Sequence, residues 1–218
     1  MTRDFERRLW FVAMACLVGA MVAHGFADEA LARAARGHAL EKVAPIQWVT
    51  EFGEGGWWLI PAGIVFAVAA AQKRHNLARW AFAMIAAVGG SGIVVNLLKM
   101  AIGKTRPRLL FEEGRLGFEP FTYGHAFNSV PSGHATTSAA AAVILACALP
   151  RWRWVFLPAG FLLALTRVAI QAHYLSDVLA GFALGTSCAI LVFTVWRARW
   201  PGSVPQPWIR APHSPGSK

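Results

Sequence analysis

Charge is scarce in this chain. Asp, Glu, Lys and Arg make up 15% of its 218 residues while 56% are hydrophobic, too much apolar surface to hide in one soluble core of this size. A bilayer protein is the class that remains. Acidic residues are the rarer part of that small charge, 11 against 21 basic, leaving a formal net charge of +10. In a soluble chain such an excess points to nucleic acid. Lys and Arg lie instead in short connectors between apolar runs, so no nucleic-acid partner is expected and anionic headgroups account for them better. Cysteine is nearly absent: Cys16, Cys147 and Cys188 fall inside apolar runs, with no paired spacing and no His in a ligand arrangement. No disulfide and no metal site is therefore expected, and the three read as small core hydrophobes. Polar sequence rich in proline is confined to the end, where five prolines in 201–218 stand among Gly and Ser, too few apolar groups to order a chain. One membrane domain over 1–200 and a disordered tail over 201–218 are the expectation.

What the chain does have is six apolar runs, at 9–27, 56–71, 77–102, 134–149, 152–171 and 178–196, each near the length of about 20 residues that a hydrocarbon core demands of a helix. The fold class expected is all-α, a polytopic membrane bundle of six transmembrane helices. The second and fourth runs are short, so their ends lean on neighbours. Trp57, Trp58, Trp80, Trp152, Trp154 and Trp196 stand at run ends, where amphipathic rings favour the headgroup boundary. Gly181-x3-Gly185 lets backbones approach closely, and packing within the chain is favoured over a dimer seam. Oligomeric state is not legible. The first run also has the basic start and Gly25-x-Ala27 of a cleavable leader, but its length, with Asp4 and Glu6 before it, argues for a span. Between the first two runs, 28–43 mixes charges with Ala and Leu at helical spacing, either a helix on the membrane surface or a solvated connector.

Basic residues alternate between connectors. Arg3, Arg7 and Arg8, then Lys73, Arg74 and Arg79, then Arg151 and Arg153, then Arg197, Arg199, Arg210 and Lys218 mark one side, which is cytoplasmic by the positive-inside rule. Both termini are expected there. The other connectors hold most of the acidic residues and three polar motifs, which places those motifs on the outer face.

The first motif is Lys99-x6-Arg106-Pro107. Seven residues are about two helical turns, so a helix continuing from the third run would project Lys99 and Arg106 on one face, with Pro107 stopping it. A Lys point charge and an Arg fork together suit the oxygens of a phosphate; snorkelling to headgroups, by Lys104 and Arg108 as well, is the plainer alternative. The second motif, Pro131-Ser132-Gly133-His134, precedes an Ala-rich helical run, where exposed amides and the helix dipole favour an anion. Gly133 admits a close phosphate, Ser132 donates a hydroxyl or caps the helix, and His134 is placed to protonate a leaving oxygen. In the third, Thr166-Arg167-x5-His173-x3-Asp177, the His and Asp are four apart on one helical face. Asp177 then fixes the His173 tautomer and leaves the other ring nitrogen as a nucleophile. Arg167 reaches them only if the chain bends between Gln171 and Ser176; a structural Arg-Asp pair is the alternative.

Read in order, these motifs resemble the tripartite signature of the type 2 phosphatidic acid phosphatase family, over about eighty residues. Thr166 stands where the family often has Ser. The resemblance implies that His173 takes the phosphoryl group, Asp177 orients it and His134 protonates the departing lipid oxygen, while Lys99, Arg106, Arg167, Ser132 and Gly133 hold the phosphate. It implies no cofactor, a lipid phosphate or diphosphate as substrate, and a bacterial inner membrane with the site facing the periplasm. Residues 108–130 are too few for an added domain and suggest a compact lid, in which Arg115 and His125 read as surface positions. Undecaprenyl diphosphate is the substrate expected, ahead of the anomeric phosphate of lipid A, phosphatidylglycerophosphate and phosphatidic acid. Transfer to a second lipid and a non-enzymatic transporter or scaffold are the alternatives.

Overall fold

A computed structural model describes residues 1–122 and 124–208. In chain order its helices are α1 (Arg3–Phe26), α2 (Asp28–Gly37), α3 (Ala44–Glu51), α4 (Gly56–Ala71), α5 (His75–Ile102), α6 (Pro107–Glu113), α7 (Gly133–Ala148), α8 (Arg153–Ala169) and α9 (Leu175–Arg199). Among the described residues no strand forms, and one isolated antiparallel bridge joins Lys104 to Phe118. The fold is all-α, as the sequence implies.

Helices occupy all six apolar runs. Arg3–Phe26, Ala44–Ala71, His75–Ile102 and Leu175–Arg199 are long and apolar enough to cross a membrane. α7, with 16 residues, and α8, with 17, are shorter, so length and composition by themselves support four crossings rather than six. The second run is longer than its hydropathy suggested because α3 precedes α4, separated by a break at 52–55 that contains Gly53 and Gly55.

α7 is the axis of the bundle, with α5, α8 and α9 packed around it and 13 of its 16 residues buried. Its alanines, serines and threonines let those backbones close in. The closest approach is to α9: a Cβ on Gly181 would stand 2.4 Å from the Ser132 carbonyl oxygen, and one on Gly185 would stand 2.0 Å from that of Thr136. The Gly181-x3-Gly185 pair is thus spent inside the chain. α1 lies along α9, and α4 along α5. Their outward side chains, including Phe11, Met14, Met21, Ile60, Ile64 and Leu97, are exposed. Such an apolar coat is tolerable only when hydrocarbon is the solvent.

Three connectors differ from the sequence reading. Lys99 and Arg106 do not share one continuous helix. Gly103, at φ +65°, ends α5, and a Cβ there would lie 1.8 Å from the Glu119 carbonyl oxygen, so only glycine fits the turn. Arg106 then caps α6, and Pro107 begins that helix where it was expected to stop one, its missing N–H costing nothing at a first helical position. In 28–43, α2 does form, but Ala32 is buried with Leu110 and Tyr174; its inner face covers protein. Finally, 201–208 are not loose. Trp196 Nε1 donates to Ser203 Oγ (2.8 Å), Gln206 N to Asn76 Oδ1 (2.7 Å), Trp80 Nε1 to the Gln206 carbonyl (2.9 Å) and Trp208 N to the Ala148 carbonyl (3.0 Å). Hydrogen bonds to helix ends do here what apolar residues were too few to do. The remainder of the expected disordered tail, 209–218, lies outside the described residues.

Candidate active site

The three motifs meet where α5 ends and α7 and α9 begin. Ser132 N donates to the Asp177 carbonyl at 2.9 Å, tying the second motif to the third. Arg106 forks across the first and third: Nη1 donates to the Ala172 carbonyl (3.2 Å) and Nη2 to that of Asn128 (3.3 Å). Lys99 Nζ stands beside Gly133, 3.8 Å from where a Cβ would sit. The expected bend exists as a turn between α8 and α9, with Gln171 at φ +57°. The Arg167 carbonyl accepts from Ala172 N (3.0 Å) and His173 N (3.2 Å), folding Arg167 back toward His173. Its Nη1 donates to Thr50 Oγ1 of α3 at 3.2 Å. Among the described residues, the Nε atoms of both Arg106 and Arg167 are buried without a hydrogen-bond partner. Buried donors left open in this way are suited to an anion that brings its own oxygens.

His173 is 2% exposed. The hydrogen bond expected from Asp177 is not closed: Nδ1 lies 3.7 Å from Oδ2, beyond hydrogen-bond range. That oxygen instead accepts from Ser129 Oγ (2.5 Å) and Tyr174 N (2.9 Å), which anchor the carboxylate one step from the ring. Nε2 is then the ring atom turned away from Asp177. Burial pulls the His173 imidazole down to about 4, with Asp177 opposing and the charges of Arg106 and Lys99 adding to the fall. Burial likewise lowers Arg106, and the Arg106 charge, then burial, lowers His125 in the connector between α6 and α7.

At the start of α7, Ser132 is fully buried and its Oγ accepts from Ala135 N at 3.5 Å. It caps the helix while keeping its proton for a donor role. Gly133 and His134 carry first-turn amides that have no intrahelical acceptor. His134 Nε2 lies 3.9 Å from Glu54 Oε1, in the break between α3 and α4. A cavity of about 420 Å³ opens beside Gly133 and His134, walled by Leu59 of α4 and Val88, Gly92 and Ile93 of α5. A larger cleft of about 910 Å³ lies at the far end of α9, but its Arg7 and Arg197 are paired with Asp4 and Glu6 and it holds none of the motif residues.

Several contributors escaped the sequence reading: Thr50, Glu54, Ser129, and above all Asp28 and Lys104, 1% exposed each. By sequence alone Lys104 reads as a residue that snorkels to headgroups. Its neighbours in sequence give no sign that the turn at Gly103 directs it inward.

Residues 80–201, more than half of the chain, match the family model of the PAP2 superfamily. The chain belongs to that superfamily. Two lipid A 1-phosphatases are similar to this PAP2 chain over 159 residues: one from Rhizobium johnstonii at 35% identity, covering 68% of this chain and 65% of that protein, and one from Rhizobium etli at 37%, covering 68% of each. The chain thus spans just under two thirds of the first relative's length. Among solved structures, a transmembrane PAP2 type phosphatidylglycerolphosphate phosphatase from Bacillus subtilis aligns with a TM-score of 0.62 at 23% identity, covering 89% of this chain and 96% of that one. At that identity the likeness establishes the PAP2 membrane fold, so the chain is a multi-pass, helical membrane protein.

Proposed function

We propose that this PAP2 chain is a lipid phosphatase working through a phosphohistidine. The observation that carries the reading is the gathering of Lys99, Arg106 and Arg167 with the α7 N-terminus around a buried, neutral His173. His173 Nε2 attacks phosphorus and the P–O bond to the lipid breaks. His134 supplies the proton to the departing oxygen. Water then attacks phosphorus as His134 takes its proton; a new P–O bond forms, the P–N bond breaks, and inorganic phosphate leaves with His173 restored. The three cations and the amides of Gly133 and His134 stabilise the charge on the equatorial oxygens. Asp177 orients His173, and its 3.7 Å gap to Nδ1 closes as positive charge builds on the ring during attack, since such contacts tighten in the reacting complex.

The cavity between α4 and α5 supports a lipid entering sideways with its chains still in the bilayer. The two lipid A 1-phosphatase relatives move the anomeric phosphate of lipid A ahead of undecaprenyl diphosphate, the substrate expected from sequence. The proposed setting is a bacterial inner membrane crossed six times, with both termini cytoplasmic and the site periplasmic, as the alternation of basic connectors suggests.

The test is phosphate release in detergent, with EDTA present, from lipid A, undecaprenyl diphosphate, phosphatidylglycerophosphate and phosphatidic acid. Release is expected, with lipid A fastest, and His173→Asn should cut it by about a thousandfold or more. No release from any lipid, or a His173→Asn variant that still turns over, contradicts the proposal; the former is what a transporter or scaffold would show.

A further inference from the structure

Behind His173, away from the cavity, lies a buried charge cluster that the chemistry above does not use. Lys104 Nζ is 2.7 Å from Asp28 Oδ2, 2.6 Å from Ser176 Oγ and 2.9 Å from Asp177 Oδ1. It also stands 4.7 Å from the centre of the Tyr174 ring. Asp28, the first residue of α2, accepts from Ser176 N (2.9 Å) and Ser176 Oγ (2.5 Å) and has His24 Nδ1 at 3.4 Å. One cation is therefore shared by two interior carboxylates, and one of those carboxylates is the partner of His173.

A clip holding α2 to α9 would explain Asp28 and Ser176. It does not explain why the shared cation sits on Asp177 Oδ1 while Oδ2 faces the imidazole. We propose that Lys104 and Asp28 are positioning residues that set how strongly Asp177 acts on His173. Lys104 draws charge toward Oδ1, and Asp28 takes up part of Lys104's pull, leaving Asp177 a better partner for the ring. In a low-dielectric interior such neighbours act strongly. Losing Lys104 leaves Asp28 and Asp177 as two carboxylates without their cation, a pair that holds a proton and so disables Asp177. Losing the Asp28 charge puts the whole of Lys104 on Asp177 and weakens its hold on His173. The groups that act on Asp177 are Lys99 of α5, Lys104 and Arg106 of the α5–α6 link, Ser129, and His173 and Tyr174 beside it; Asp28 of α2 meets it through Lys104, and His24 of α1 and Ser176 contact Asp28.

This inference rests on His173 acting as the nucleophile. It is tested by kcat and KM across pH, with thermal unfolding in detergent, for the wild-type chain, Asp28→Asn, Lys104→Met and the double variant. Asp28→Asn should lower kcat about tenfold, as loss of an outer partner behind a histidine does in metal sites, with KM unchanged. Lys104→Met should move the acid limb of kcat up by about one pH unit or more. Adding Asp28→Asn to it should move the limb back and recover part of kcat. Coincident acid limbs with only the melting temperature lowered would mean a clip and overturn the inference. If Lys104→Met does not fold, Asp28→Asn decides alone: kcat at the wild-type level overturns it. A wild-type chain active on lipid with unaffected variants defeats this inference only, whereas a wild-type chain inactive on every lipid defeats the proposed function and this inference with it.

Discussion

Arg106 shows why residue type matters at this site. Its two amino groups reach separate carbonyls, those of Ala172 and Asn128, and its Nε is buried and unpaired among the described residues. A lysine keeps the charge but has no planar fork to do all three. Arg106→Lys should therefore lower kcat/KM by about tenfold to a hundredfold, measured by phosphate release at several lipid concentrations; a near-normal value would mean that charge alone suffices. His173 makes a second prediction. Its imidazole is held at about 4, below the ordinary value of about 6.5, so the folded state resists a proton that the unfolded chain accepts. The neutral nucleophile should persist as pH falls from 7 to 5, and the stability associated with His173 should decline below about pH 6.5. Titration of ¹⁵N-histidine resonances in detergent checks this; a ring titrating near 6.5 would contradict it. The motif residues were legible because each chemical type recurs at a telling interval. Asp28 and Lys104 were not, because inward direction is decided by the backbone at Gly103 and by the α1–α2 junction, which carry no hydropathy period.

Elements repeat that contrast. Helical runs announce themselves through apolar length, and the small-residue spacing in α9 signalled close packing. Their ends are set by local contacts that sequence spacing does not show. The glycine at 103 and the proline at 107 had to be read as a stop and a restart, and α3 was hidden by its short, mixed composition. The α7–α9 contact is where packing and chemistry join, since Ser132 is held by α9 at both its amide and its carbonyl side. Gly181→Ala forces a methyl toward the Ser132 carbonyl, 2.4 Å away. It should cost about 1–3 kcal/mol and displace the α7 N-terminus, so melting temperature and kcat should fall together. An unchanged melting temperature would show that the two helices are not seated as described.

For the whole molecule, orientation is the property that length and composition leave open, and charge alternation is its only sequence signal. A cysteine-free background carrying Glu113→Cys should react with a membrane-impermeant maleimide from the periplasmic side of intact cells, whereas Arg74→Cys should react only after lysis. The reverse pattern would turn the proposed topology over. The assembly otherwise has one economy: α7, the most buried helix, contributes its first turn to the site. The proposal for the whole stands on phosphorus bonding to one imidazole. Rapid quench of the chain with phosphorus-labelled lipid, followed by peptide mapping at alkaline pH, tests that bond directly. The account predicts an acid-labile phosphate on His173 that forms and decays at rates matching turnover and is absent after His173→Asn. Turnover with no label on His173, or with label on another residue, would contradict it.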